Sequence, residues 1–135
     1  NERIKSMNSK GKSLIFDGVT EIQIDNFEKI NKCSIPIGYK EWLKISDGGL
    51  LFLPSGIQLY GVSHKPLIDI NDVNKPDDDF VVIGALATGD TIVYKKGEEQ
   101  ISIFNIEEGI IENDENYSDF YSFLNELSEL LGIED

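Results

Sequence analysis

The apolar residues of this chain change period twice, and no other feature narrows its fold as much. Over residues 20–45 and again over 120–131 they recur every three or four positions, as one face of a helix requires. Between residues 50 and 104 they break into strand-length runs separated by glycine, proline and aspartate. Helices at the ends and strands with short connections between them predict an α+β domain, because tight connections favour antiparallel pairing over a parallel crossover.

The elements follow from local signals. Thr20 and Gln23 have capping-box spacing, with Val19 and Ile24 at the positions of a hydrophobic staple, so a helix is expected over about Thr20–Asn31 with Ile24, Phe27 and Ile30 on one face. Pro36 suits the first position of a second helix, whose Ile35, Tyr39, Trp42 and Leu43 form one stripe and whose Lys40, Glu41 and Lys44 take the wet side. Asp47-Gly48-Gly49 is expected to end it. Strands are read at Leu50–Leu53, Ile57–Val62, Phe80–Ala85, Thr91–Tyr94 and Ile101–Phe104. Ser63–Asp79 is read as a long loop with one helical turn at Leu67–Val73. In Ile101–Phe104, Ile101 and Ile103 face one way and Ser102 the other. Phe120, Phe123, Leu124, Leu127, Leu130 and Leu131 trace a last helix, capped by Asn116 or Ser118 and stopped by Gly132. One domain over 1–135 is expected, with residues 1–18 either a loose arm or a frayed helix. Asn1, where a Met would open a reading frame, is expected to mark a trimmed, processed or cloned start.

Charge limits the partners. The chain carries 25 acidic and 12 basic residues, a net −13. Residues 1–17 are net positive, whereas residues 97–135 hold no Lys or Arg at all. A one-signed acidic segment repels phosphate backbones and anionic membranes, so neither nucleic acid nor membrane is expected as a direct partner. Two explanations stand: acidic surface for solubility, or steering of a basic protein. No apolar run reaches the 18–20 residues or so of a membrane span and no signal-peptide-like segment opens the chain, so a cytoplasmic protein is expected. The single Cys33 excludes an intramolecular disulfide and fits a reducing compartment.

Catalytic inventories come out short. His64 is the one histidine and lies in the long loop, and no serine elbow, phosphate loop or dinucleotide fingerprint occurs. Cys33 is read as an inert thiol. The chain cannot supply the sulfur and nitrogen ligands of a zinc site, and Asp77-Asp78-Asp79 lacks the spacing and glycine of a calcium loop. Acid-based hydrolysis would need two perturbed carboxylates in a cleft. We therefore expect no enzyme, no cofactor and no metal.

Three stretches resemble one family when taken together. The first is Glu21-Ile22, Phe27-Glu28-Lys29, Ile35-Pro36, Tyr39-Lys40-Glu41-Trp42-Leu43 and Asp47-Gly48-Gly49; the second is Asp79-Phe80-Val81-Val82-Ile83-Gly84 with Thr88-Gly89-Asp90-Thr91-Ile92 and Tyr94; the third is Ser118-Asp119-Phe120-Tyr121-Ser122-Phe123-Leu124. Their order and separations, over about Thr20 to Gly132, resemble the SUKH superfamily (Smi/Knr-like). Ile35 and Asp47 depart from it, standing where leucine and asparagine are commoner. The matched Phe27, Pro36, Tyr39, Trp42, Gly48, Gly49, Gly84, Gly89, Asp90 and Phe123 read as framework rather than as an active site.

The resemblance implies a twisted, mainly antiparallel sheet flanked by helices. It also implies the role of many bacterial members, an immunity protein that neutralises a cognate toxin, often a nuclease with a basic cleft. Fungal relatives act instead as scaffolds in cell-wall synthesis signalling. Joined to the charge pattern, the immunity role assigns partner recognition to acids expected in exposed loops: Asp77, Asp78, Asp79, Glu107, Glu108, Glu112, Asp114 and Glu115. The oligomeric state is left open.

Overall fold

Among the described residues, seven strands pair strictly in the order in which the chain makes them. The structure, a computed structural model, describes residues 12–53, 56–64 and 66–130. Strands β1 (Lys12–Leu14), β2 (Gly49–Leu53), β3 (Ile57–Leu59), β4 (Phe80–Leu86), β5 (Thr91–Lys95), β6 (Ile101–Asn105) and β7 (Ile110–Tyr117) form one antiparallel sheet, β1 at one edge and β7 at the other. Helices α1 (Glu21–Asn31) and α2 (Ile37–Ile45) lie between β1 and β2 in the chain, and α3 (Phe120–Leu130) follows β7. The fold is α+β, as the change of period predicts.

The caps are mostly local. Thr20 Oγ1 accepts from Gln23 N at 3.2 Å and Gln23 Oε1 accepts from Thr20 N at 2.9 Å, completing the capping box of α1. Ile24 is buried and Phe27 half-buried against the core, but Ile30 is 80% exposed. Spacing of i, i+3, i+6 slips about 60° round the helix at each step, which carries Ile30 off the buried face. On α2 the expected stripe is buried, with Ile35, Tyr39, Trp42 and Leu43 each at most 2% exposed. Pro36 is the N-cap, one position earlier than expected, and Ser46 rather than a glycine is the C-cap. Gly48 (φ 91°) and Gly49 (φ 134°) instead turn the chain into β2. Asp119 Oδ1 accepts from Ser122 N at 2.8 Å and so caps α3 in place of Asn116 or Ser118. The expected stop at Gly132 lies outside the described residues.

Three expectations are corrected at the level of elements. Lys12–Leu14 of the expected arm form β1, paired with β2, because an extended segment gains ladder bonds there that a frayed helix would lack. Residues Leu67–Val73 contain no helical turn; an Asp69–Asp72 turn and a Gly61–Leu67 bridge occupy the segment. β7 was not legible, since Ile110–Tyr117 reads I-I-E-N-D-E-N-Y without alternation.

The sheet has unequal faces. Toward the helices it presents Val81, Ile83, Ile92, Tyr94, Ile101 and Ile103, which join Tyr39, Trp42, Phe120 and Phe123 in the main core. Tyr39 and Phe120 meet edge to face at 4.8 Å. The other face carries Val82, Val93 and Phe104 with Tyr60, Phe80 and Ile111 around them. The long loop reaches that face too, since Asn74 O accepts from Thr91 Oγ1 at 2.6 Å. Ser102, on the same face, donates its hydroxyl to Asn116 Oδ1 at 2.7 Å.

Tyr94 is fully buried, and its hydroxyl has no well-formed hydrogen bond among the described residues; the weakly polar Cys33 thiol and, less strongly, Glu28 perturb it. Burial, and next Cys33, push this phenol far above the usual tyrosine range. The unfolded chain sheds the proton from pH ~10 upward while the folded chain keeps it, so the stability tied to it is whole below that pH and is lost above. Tyr94→Phe is expected to match or exceed the parent by up to about 1 kcal/mol at neutral pH. Above pH ~10 its stability should fall less steeply, by up to about 1.4 kcal/mol per pH unit. Urea midpoints of the two proteins across pH 8–11.5 check this; parallel curves would contradict it.

Candidate protein-interaction surface

Several acids serve the fold itself. Asp47 is 2% exposed, and its carboxylate accepts from the backbone N–H of Val62 (2.7 Å), Ser63 (2.9 Å) and His64. It fastens the start of the long loop to the end of α2. Glu28 accepts from Ile35 N at 2.7 Å and pairs with Lys40 at 3.2 Å. Glu99, from the β5–β6 turn, accepts from Ile37 N (2.9 Å) and Gly38 N (3.2 Å), giving α2 the N-terminal anion that Pro36 cannot supply. Glu21 pairs with Lys44, which holds its carboxyl below the usual range on an exposed helix face rather than in a cleft.

Of the eight acids expected to recognise a partner, five stand at the two ends of the sheet and three lie within its edge strand. Asp77, Asp78 and Asp79 are exposed in the turn before β4; Asp77 Oδ1 accepts from Asp79 N at 2.8 Å, and Asp79 O accepts from Lys96 N at 2.7 Å. Glu107 and Glu108 are exposed in the β6–β7 turn. Because β4 and β6 run parallel to each other through β5, these groups sit at opposite ends, roughly 20 Å apart at 3.3 Å per residue. Glu112, Asp114 and Glu115, expected in a loop, lie within the edge strand β7. There Ser102 pairs with Asn116 and Phe104 with Ile111, so four β7 residues stand opposite Ile103 alone. A bulge of this size at a charged edge discourages pairing with a foreign strand.

The two ends differ in their counter-charges. Around Asp77–Asp79 stand Lys95 and Lys96 at the end of β5, together with Lys75, whose ammonium donates to Ile70 O at 2.7 Å. At the opposite end the β4–β5 and β6–β7 turns contain no Lys or Arg. Asp90 Oδ1 accepts from Ile106 N at 3.3 Å, joining these two turns, and Asn105 holds the second by accepting from Glu108 N (3.0 Å, side chain) and Gly109 N (2.8 Å, carbonyl).

Three features of this surface escaped the sequence. Asp47 was visible as a corner residue, but nothing marked its carboxylate as a clamp. Glu99 had no local signal, since its target is 62 positions away. Ile106 and Ile110, 44% and 49% exposed, flank Glu107 and Glu108, and as an apolar pair outside any periodic element they were the one legible hint. His64 is exposed and stacks on Phe16 at 3.9 Å. Cys33 is half-buried, and burial, then Glu28, push its thiol up, disfavouring the nucleophilic thiolate.

The model of one protein family, the SMI1 / KNR4 family (SUKH-1), matches residues 18–126. No curated protein matches the chain.

Proposed function

The chain belongs to the SMI1 / KNR4 family (SUKH-1), and on that footing we propose that it is a non-catalytic immunity protein, acting in the cytoplasm, that binds and neutralises a cognate bacterial toxin. The observation that carries the proposal is the one-signed charge of the chain's last third, with Glu107 and Glu108 exposed in the β6–β7 turn, set on the family framework. A toxin that handles nucleic acid needs a positive cleft. Carboxylates presented to that cleft raise the association rate and block phosphate access without imitating any base. Asp77–Asp79, Glu107, Glu108, Glu112, Asp114 and Glu115 are the proposed contributors to this field.

The family also includes regulatory scaffolds, which the same fold would serve. The test is to co-express the chain with the product of the neighbouring gene, purify the complex, and assay that product's toxic activity with and without this protein. Immunity predicts stoichiometric loss of activity, and an association rate that falls on the order of tenfold between 20 and 300 mM salt. A neighbour that is not bound, or is bound and stays fully active, would favour the scaffold role.

A further inference from the structure

We propose that the toxin docks on the end of the sheet built by the β4–β5 and β6–β7 turns, with Ile106 and Ile110 as apolar anchors and Asp90, Glu107 and Glu108 as their acidic surround. The inference rests on the immunity function above and names its surface. The two isoleucines are about half exposed at either end of one turn, and a Cβ built on Gly89 would lie 3.6 Å from Ile106 Cδ1, so the neighbouring turn supports the first of them from beneath. The Asp90–Ile106 bond joins the two turns and the Asn105 contacts brace the second, which limits the ordering needed on binding. Apolar side chains that can be fully desolvated, ringed by charge, are the usual energetic centre of an interface.

Charge selects this end and the chemistry of the occupant. The opposite end interleaves Asp77–Asp79, Glu98 and Glu99 with Lys75, Lys95 and Lys96, so its field is partly offset within a Debye length. The exposed Ile22 and Ile30 of α1 likewise share their helix with Lys29 and the Glu21–Lys44 pair. At the proposed end the acids are uncompensated within the two turns. The partner that fits is a protein surface with Lys or Arg around an apolar depression, which is how a phosphate-binding cleft with a base-stacking floor is made.

The experiment measures binding kinetics of the purified neighbouring-gene product to the full chain and three variants, each first checked for an unchanged melting curve. Ile106→Ser with Ile110→Thr is expected to weaken binding at least thirtyfold, mainly through faster dissociation and at every salt concentration. Glu107→Gln with Glu108→Gln is expected to slow association severalfold at low salt and little at high salt. Asp77→Asn, Asp78→Asn and Asp79→Asn together are expected to stay within about threefold of the parent. If the isoleucine variant binds like the parent while the triple aspartate variant is weakened, the docking end is wrong and the immunity function stands. If the unmodified chain does not bind, the immunity function fails and this surface with it.

Discussion

Asp47→Ala is expected to remove about 4 kcal/mol of folding stability. The carboxylate accepts three backbone N–H groups from Val62, Ser63 and His64, and bonds to a charged acceptor contribute about 1.5–3 kcal/mol each. The sum is reduced because Ser63 and His64 are exposed, so water can take up part of their bonding once the carboxylate is gone. The backbone N–H of Asp47, which donates to Asp17 O at 3.1 Å, is kept by alanine, so the loss is that of the carboxylate's bonds. Asp47→Asn keeps one acceptor oxygen and is expected to lose roughly half as much. Urea unfolding gives the magnitude, and amide exchange gives the location. Val62–His64 should lose protection before β4 and β5 do. A drop below ~1 kcal/mol would mean that the clamp is dispensable.

Gly48→Ala is expected to cost about 3 kcal/mol, although it adds a single methyl group. Gly48 has φ 91°, in the left-handed region, where an L side chain costs roughly 1–2 kcal/mol. The new Cβ would also stand 2.6 Å from Leu59 O and 3.2 Å from Gly61 N, backbone atoms that cannot rotate away. Nor can the peptide turn to relieve it, because Gly48 O accepts from Trp42 Nε1 at 3.0 Å and from Ser46 Oγ at 2.8 Å. Thermal melts compare it with Gly97→Ala, whose φ of 83° is similar but whose Cβ would meet nothing within 4 Å. The excess loss at Gly48 isolates the backbone clash. Equal losses would show that φ strain alone is responsible.

Both positions join the end of α2 to the start of the long loop. Neither touches the turns proposed to dock the toxin. A variant weakened here should therefore lose binding only in proportion to its unfolded fraction.

Much of the fold was readable because its signals are local. The Thr20–Gln23 box, the Ile35–Leu43 stripe and the alternation about Ser102 each depend on residues a few positions apart, and backbone geometry fixes what such spacings do. Where the local pattern was weak the expectation failed. β7 has no alternation, and β1 is three residues long and gains its shape only from pairing with β2. The same division holds for the surface. The family framework and the abundance of acid in residues 97–135 were legible from residue order alone. Strand pairing was needed to reveal that Asp47 and Glu99 serve the backbone, that Asp77–Asp79 and Glu107–Glu108 stand at opposite ends, and that lysines lie beside the first group and not in the turns of the second. Charges act through space over ~10 Å while sequence records only order along the chain, so the neighbours that set a carboxylate's role appear once the strands are paired.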